Sequence, residues 1–232
     1  MGRFLRRFLG YALLLALIAL AAVQIWFLVH VWHWASHNPE STAFMRARLE
    51  TLRAEDPAAR LHHQWVPYHR ISPHLKRAVV AAEDAKFVSH RGFDWEQIRK
   101  AYEQNVREGE IVRGASTITQ QLAKNLFLSG SRSLWRKAQE AVIAVMLETV
   151  LTKRRILEIY LNVVEWGEGV FGAEAAARYH FGVSAAELAP EQAARLAAML
   201  PSPRSYSPGR LTPYLAQRTA VILARMSAAR IP

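Results

Sequence analysis

The chain has 232 residues, 30 of them Lys or Arg and 19 Asp or Glu, for a formal net charge of +11, and 51% are apolar. That length suits one ordinary domain, or one domain plus an anchor, with enough apolar side chains for a core, so a disordered chain is excluded. No cysteine is present, which excludes disulfides, thiolate metal sites and a cysteine nucleophile. The excess positive charge points to an anionic partner: nucleic acid, a membrane surface or a phosphorylated substrate.

Arg3, Arg6 and Arg7 precede a stretch, 8–34, without Lys, Arg, Asp or Glu. Its 22 residues 8–29 make a helix of roughly 33 Å, enough to cross a hydrocarbon core. Trp26, Trp32 and Trp34 gather at the far end, where amphipathic aromatics favour the interface. The positive-inside rule then puts the N-terminus in the cytoplasm and residues 35–232 outside. A cleaved signal peptide is the competing reading, since Ala19-Leu20-Ala21 resembles a small-residue cleavage site, but the apolar run continues past it. An exported domain disfavours a nucleic-acid partner.

From residue 40 onward the apolar spacing is helical and helix punctuation recurs. Ser72-Pro73 offers an N-cap and a first-turn proline, with Leu75, Ala78, Val79 and Ala82 at helical spacing. Asp94 with Gln97 resembles a capping box, with Gly109 as the stop. Thr117 with Gln120 repeats the device. Further helices are predicted over about 132–151, 153–162, 173–180, 190–199 and 213–229. Strand-like alternation is scarce; 66–71 is the best candidate, and Pro67 weakens it. The expected organisation is a cytoplasmic tip and anchor at 1–34, a membrane-proximal linker at 35–64, and a single, mainly α-helical domain at 65–232.

The charge is not spread evenly. Three of the positive charges orient the anchor, and the 43 residues 113–155 hold a net +6. Such clustering fits a phosphate-rich ligand; a solvated basic helix face is the bland alternative. Within EDAKFVSHRGFD, Glu83 and Asp84 fall where the helix from Pro73 ends, and the negative end of the helix dipole pushes a carboxylate pKa upward. That direction suits a general base near neutral pH, whereas a surface pair neutralised by Lys76 or Lys86 is the structural alternative. In RGASTITQQLAKN, Arg113 and Gly114 lead into a helix start at Ser116 or Thr117, whose unpaired N–H groups favour an anion. Ser116, Gln120 and Lys124 follow i, i+4 spacing. Glu140, an i, i+4 neighbour of Arg136 with apolar flanks, requires a cationic or hydrogen-bonding partner if buried. Glycines 167, 169 and 172 read as a tight turn, and His30, His33, His62, His63 and His180 lack metal-ligand spacing.

Four segments together resemble the peptidoglycan glycosyltransferases of family 51, and most nearly its monofunctional members: EDAKFVSHRGFD at 83–94, RGASTITQQLAKNLFL at 113–128, RKAQEAVIAVMLE at 136–148, and KRRILEIYLNVVEWGEGVFGAEAAARYHFG at 153–182. The resemblance runs from about 65 to 225. It implies a lysozyme-like, two-lobed helical domain beside the outer face of the cytoplasmic (inner) membrane, with a role in cell-wall biogenesis and cell shape. The implied reaction polymerises lipid II into glycan strands through β-1,4 linkages, releasing polyprenyl pyrophosphate, with no room for a transpeptidase domain. On the family's pattern Glu83 is the general base, and Glu140 assists at the donor pyrophosphate, directly or with a divalent ion (Mg or Mn); no organic cofactor is implied. Arg113, Lys124, Arg132, Arg136 and Lys137 match positions associated with lipid-linked phosphates. Ser116, Thr117, Gln120, Gln121 and Asn125 would line the sugar and phosphate cleft, and Asp84, Phe87 and His90 would support the base or the acceptor.

The implied partners are lipid II, the growing lipid-linked glycan, the membrane and other cell-wall synthesis proteins. Leu122, Leu126, Phe127 and Leu128 are candidates for a membrane-contacting patch. Two positions depart from the pattern: Ala115 where a second glycine is usual, and Val183 where a lysine is common. A lytic hydrolase on the same fold and a catalytically inactive scaffold are the alternatives.

Overall fold

The computed structural model describes residues 2–109, 115–128, 133–206 and 209–232. The first helix, α1 (Gly2–His33), has 32 residues, or about 48 Å at 1.5 Å per residue. It is long and apolar enough to cross a membrane. Most of its length is exposed, but its last turns dock on the domain: Phe27, Val31 and Trp34 are buried. The amides of Gln24 and Gln139 exchange two hydrogen bonds of 3.0 Å.

Between α1 and the domain lies α2 (Ala43–Glu55), capped by the Thr42 hydroxyl, which accepts from the Met45 N–H. The predicted caps then appear in order. Ser72 caps α3 (Pro73–Glu83), Asp94 caps α4 (Trp95–Glu108) and Thr117 caps α5 (Ile118–Phe127). Gly109 ends α4 at φ 71°, a left-handed conformation that glycine adopts without a Cβ clash. There follow α6 (Leu134–Val150), α7 (Lys153–Val163), α8 (Ala173–Phe181), α9 (Pro190–Met199) and α10 (Pro213–Met226). The molecule is mainly α, with one N-terminal apolar helix.

The little sheet there is comprises β1 (His62–His63), β2 (Glu165–Gly167) and β3 (Val170–Phe171), in the order β1-β3-β2. The first pair is parallel and the second antiparallel. The glycine segment expected to be a turn is therefore a tight hairpin. Residues 66–71 are not a strand: a 3-10 turn occupies Tyr68–Arg70. Val66 finds its partners in a side chain, because the Asn162 amide accepts its N–H and donates to its C=O, both at 2.9 Å. The same asparagine explains Gly172, where a Cβ would lie 2.6 Å from the Asn162 carbonyl oxygen at φ 85°.

Helix α7 is the centre of the core, with Ile156, Leu157, Ile159, Tyr160 and Leu161 all fully buried. On one side of the domain α5 packs on α6, α7 and α2, and on the other α3 packs with α9 and α10. The junction of these two groups is where α3 ends and α5 begins.

Candidate active site

Glu83 is the last residue of α3, and Asp84 leaves the helix with φ −161°. A cleft of about 450 Å³ opens here, lined by Glu83, Asp84, Asp94 and Gln97, by 115–117 and Gln121 at the start of α5, and by Arg218 and Arg225 of α10. Burial pushes the Glu83 carboxyl above the ordinary range, and the Asp84 charge adds to this. A hydrogen bond from Gln121 and the charges of Arg218 and Lys124 act the other way. The upward direction matches the expectation from the helix terminus, but its main cause is desolvation. Neither lysine named as a neutralising partner serves: Lys76 donates to the Tyr68 carbonyl at 3.1 Å, and Lys86 pairs with Glu96.

Asp84 joins two elements. One oxygen accepts the Ile118 N–H of α5 at 3.1 Å, and the other lies 2.8 Å from His90 Nε2. A carboxylate at the positive end of α5 is favourable, and it fixes that helix start against the end of α3. Thr117 tightens the junction further. Its hydroxyl donates to the Gly92 carbonyl at 2.6 Å while accepting the Gln120 N–H, and the Gln120 side chain accepts the Thr117 N–H. One turn along α5, Gln121 Nε2 donates to Glu83 Oε2 at 2.8 Å, and Gln121 Oε1 accepts from the Tyr160 hydroxyl at 2.9 Å.

A second constellation lies on α6. The Glu140 side chain is 3% exposed and faces two cations: Arg136 Nη1 at 3.4 Å, and Lys137 Nζ in direct contact. Lys137 also donates to the Ser116 hydroxyl at 3.3 Å, which ties this cluster to the edge of the cleft. Lys124 stands between the two carboxylates. Burial lowers its pKa, Glu140 and Glu83 pull it back up, and Arg136 and Lys137 press it down. Arg136 Nε is buried without a hydrogen-bond partner among the described residues.

The structure thus brings Glu83, Asp84, Ser116, Thr117 and Gln121 into one cleft, and Lys124, Arg136, Lys137 and Glu140 into an adjoining cationic cluster. Gln120 is buried and its side chain is spent on the capping box, so the i, i+4 face read through Ser116, Gln120 and Lys124 is replaced by one through Thr117, Gln121 and Lys124. Phe87 is fully buried under the Lys153 ammonium, 4.5 Å from its ring, and supports the loop from below. His90 acts on Asp84, and Asn125 is buried on α5. Arg113 and Arg132 lie outside the described residues.

Leu122 and Leu126 are core residues rather than a membrane patch, and Phe127 sits among Trp26, Phe27 and Trp34 of the anchor end at ring separations of 5.8, 5.0 and 5.0 Å. Arg218, Arg225 and Tyr160 escaped the sequence reading. A basic, amphipathic stretch at 213–229 shows two arginines seven apart on one helix face, with no sign that this face meets Glu83. Among the described residues no three His, Asp or Glu side chains converge to hold a metal, and both oxygens of Glu140 already face cations. Glu140 is the carboxylate here that would offer oxygens to a divalent ion shared with substrate phosphates, and it would do so by exchanging Arg136 or Lys137 for the ion.

Comparison with known proteins adds a second line. The model of the transglycosylase family matches residues 49–227. The biosynthetic peptidoglycan transglycosylase of Nitrosospira multiformis is 56% identical over 229 residues, covering 99% of this chain and 100% of that protein. That of Methylobacillus flagellatus is 59% identical over 220 residues, 95% and 96% of the two chains.

Proposed function

The chain belongs to the transglycosylase family, and from that premise we propose that it polymerises lipid II into peptidoglycan glycan strands by β-1,4 glycosyl transfer. The observation that carries the reading is the division of labour between a half-buried, largely desolvated carboxylate in a cleft and a cationic cluster beside it, with Lys124 under the influence of both carboxylates.

In the reaction the 4-hydroxyl of an incoming lipid II attacks the anomeric carbon at the end of the lipid-linked chain. Glu83 takes the hydroxyl proton as the new C–O bond forms. A sugar hydroxyl is a weak acid, so a carboxylate made more basic by burial suits the task. The bond from the anomeric carbon to the pyrophosphate oxygen breaks with inversion, and the leaving group keeps the electron pair. Lys124, Arg136 and Lys137 offset its developing charge, with Arg113 and Arg132 assigned to the same role by resemblance. A pyrophosphate leaves as an anion, so no general acid is required.

Glu140 holds Arg136 and Lys137 in place before substrate arrives. The first helix serves as a single-pass anchor, with Arg3, Arg6 and Arg7 on the cytoplasmic side and the catalytic domain on the periplasmic face of the inner membrane.

Incubation of the full-length protein with lipid II tests the reading. Polymeric strands and released polyprenyl pyrophosphate are expected. Cleavage of finished strands without polymer from lipid II would replace the transferase by a lytic hydrolase. Binding without either product would leave a scaffold.

A further inference from the structure

Glu83 has a neighbour behind the cleft that the reaction as described does not use. Tyr160, on α7, is fully buried and does not line the cleft. Its hydroxyl donates to Gln121 Oε1 at 2.9 Å, and Gln121 Nε2 donates to Glu83 Oε2 at 2.8 Å. Gln121 is thus the donor that the described residues give to Glu83, at Oε2. We propose that Tyr160 is a positioning residue for the base: its hydroxyl fixes the orientation of the Gln121 amide, so that the amide N–H and not its carbonyl faces Glu83. The proposal rests on the reading of Glu83 as the base.

A primary amide has one carbonyl and one NH₂, and rotation by half a turn exchanges them at little steric cost. With the NH₂ toward Glu83, the carboxylate is stabilised as the anion, the form that accepts a proton. With the carbonyl toward Glu83, two acceptors face each other, and only a protonated carboxyl can satisfy the contact. A phenol that donates to the carbonyl end reinforces the first arrangement, which the acceptor-only carboxylate also favours. Burial, with the nearby Glu83 and Asp84 charges, holds the Tyr160 phenol well above its ordinary pKa, so the donor proton stays in place across the working pH range.

The other charged groups acting on Glu83 are Asp84 beside it, Lys124 on α5 and Arg218 on α10. None of them touches Gln121 Oε1 among the described residues. Tyr160 is therefore the contact that holds the carbonyl end of the amide, while the Glu83 carboxylate holds the N–H end and the surrounding charges set the baseline on which both act.

The test is the pH dependence of kcat/KM for lipid II polymerisation by the full-length protein carrying Tyr160→Phe, Gln121→Ala, both changes together, or Glu83→Gln. Tyr160→Phe keeps the ring and is expected to move the acidic limb upward by about one pH unit, the scale of one charge-assisted hydrogen bond. Activity recovers toward the parent value on the alkaline side, which a general loss of packing would not produce. Gln121→Ala is expected to move the limb likewise, and adding Tyr160→Phe to it to move it no further. A parental limb in Tyr160→Phe alongside an inactive Glu83→Gln overturns the proposal and leaves the base intact. So does a Tyr160→Phe shift that adds in full to that of Gln121→Ala. Parental turnover in Glu83→Gln would remove the base and the proposal together.

Discussion

Replacing Glu140 by Gln keeps the shape of a side chain that is 3% exposed while deleting the charge that Arg136 and Lys137 both face. Breaking a fully buried pair costs about 3–5 kcal/mol. Lys137 is 48% exposed and stays hydrated, so the loss falls mainly on Arg136, which is 18% exposed. About 2 kcal/mol remains after that discount, which corresponds to a fall of about 4–8 °C in Tm for a chain of this length. A second effect is electrostatic. Burial already lowers the Lys124 pKa, and Glu140 is the charge that most strongly raises it again. Without that charge the ammonium gives up its proton at lower pH, and the alkaline limb of polymerisation moves down. Thermal melting in detergent measures the first effect, and initial rates of lipid II polymerisation from neutral to alkaline pH measure the second. An unchanged Tm with an unchanged alkaline limb refutes the view that Glu140 organises the cations.

Three further outcomes are expected. Glu83→Gln abolishes polymerisation without loss of stability: the folded-state pKa is raised above the ordinary 4.5, so ionised Glu83 weakens the fold as pH rises through and above that value, and the variant melts at or above the parent there. Arg218→Gln removes a cation that favours ionised Glu83, and the acidic limb of the rate profile moves upward; a parental limb would separate Arg218 from the base. Gly172→Ala places a Cβ 2.6 Å from the Asn162 carbonyl oxygen at φ 85° and costs about 3 kcal/mol, whereas Gly10→Ala, with nothing within 4 Å, leaves Tm unchanged.

The helices that the sequence announces are those whose ends are chemically marked. Ser72-Pro73, Asp94 with Gln97, and Thr117 with Gln120 each satisfy backbone N–H groups within a few residues, so the signal is local and survives folding. Residues 66–71 mislead because their partner is Asn162, 96 residues away from Val66, and no local pattern encodes that pairing. The apolar face of Leu122 and Leu126 tells that something covers it, not whether lipid or protein does; α6 and α7 do. Within the site, Glu83, Asp84 and Glu140 are legible through conflict with their surroundings: carboxylates at a helix C-terminus and a carboxylate among apolar neighbours. Arg218 and Tyr160 carry no such mark. An arginine on an amphipathic helix and a tyrosine in an apolar one are ordinary until α10 is laid against α3, and α7 behind α5.

What unites the site is the single helix α5. Thr117 and Ile118, at its start, bind Gly92 and Asp84; Gln121, one turn on, holds Glu83; Lys124, one turn further, lies between the two carboxylates; Phe127, at the end, packs into the aromatic cluster of the anchor. These positions recur every three or four residues, so they lie near one face over the roughly 15 Å of a ten-residue helix. From the anchor end outward, the face presents a membrane-proximal aromatic contact, then cations, then a base. A lipid-linked sugar pyrophosphate has the same order along its length: hydrocarbon, charged linkage, sugar. On the proposed reading of α1 as a membrane anchor, the helix that joins it to the domain also sets how far from the bilayer the pyrophosphate-binding cations and the base stand. A change in the docking of α1 on Phe127 alters the register of both relative to the substrate without touching either.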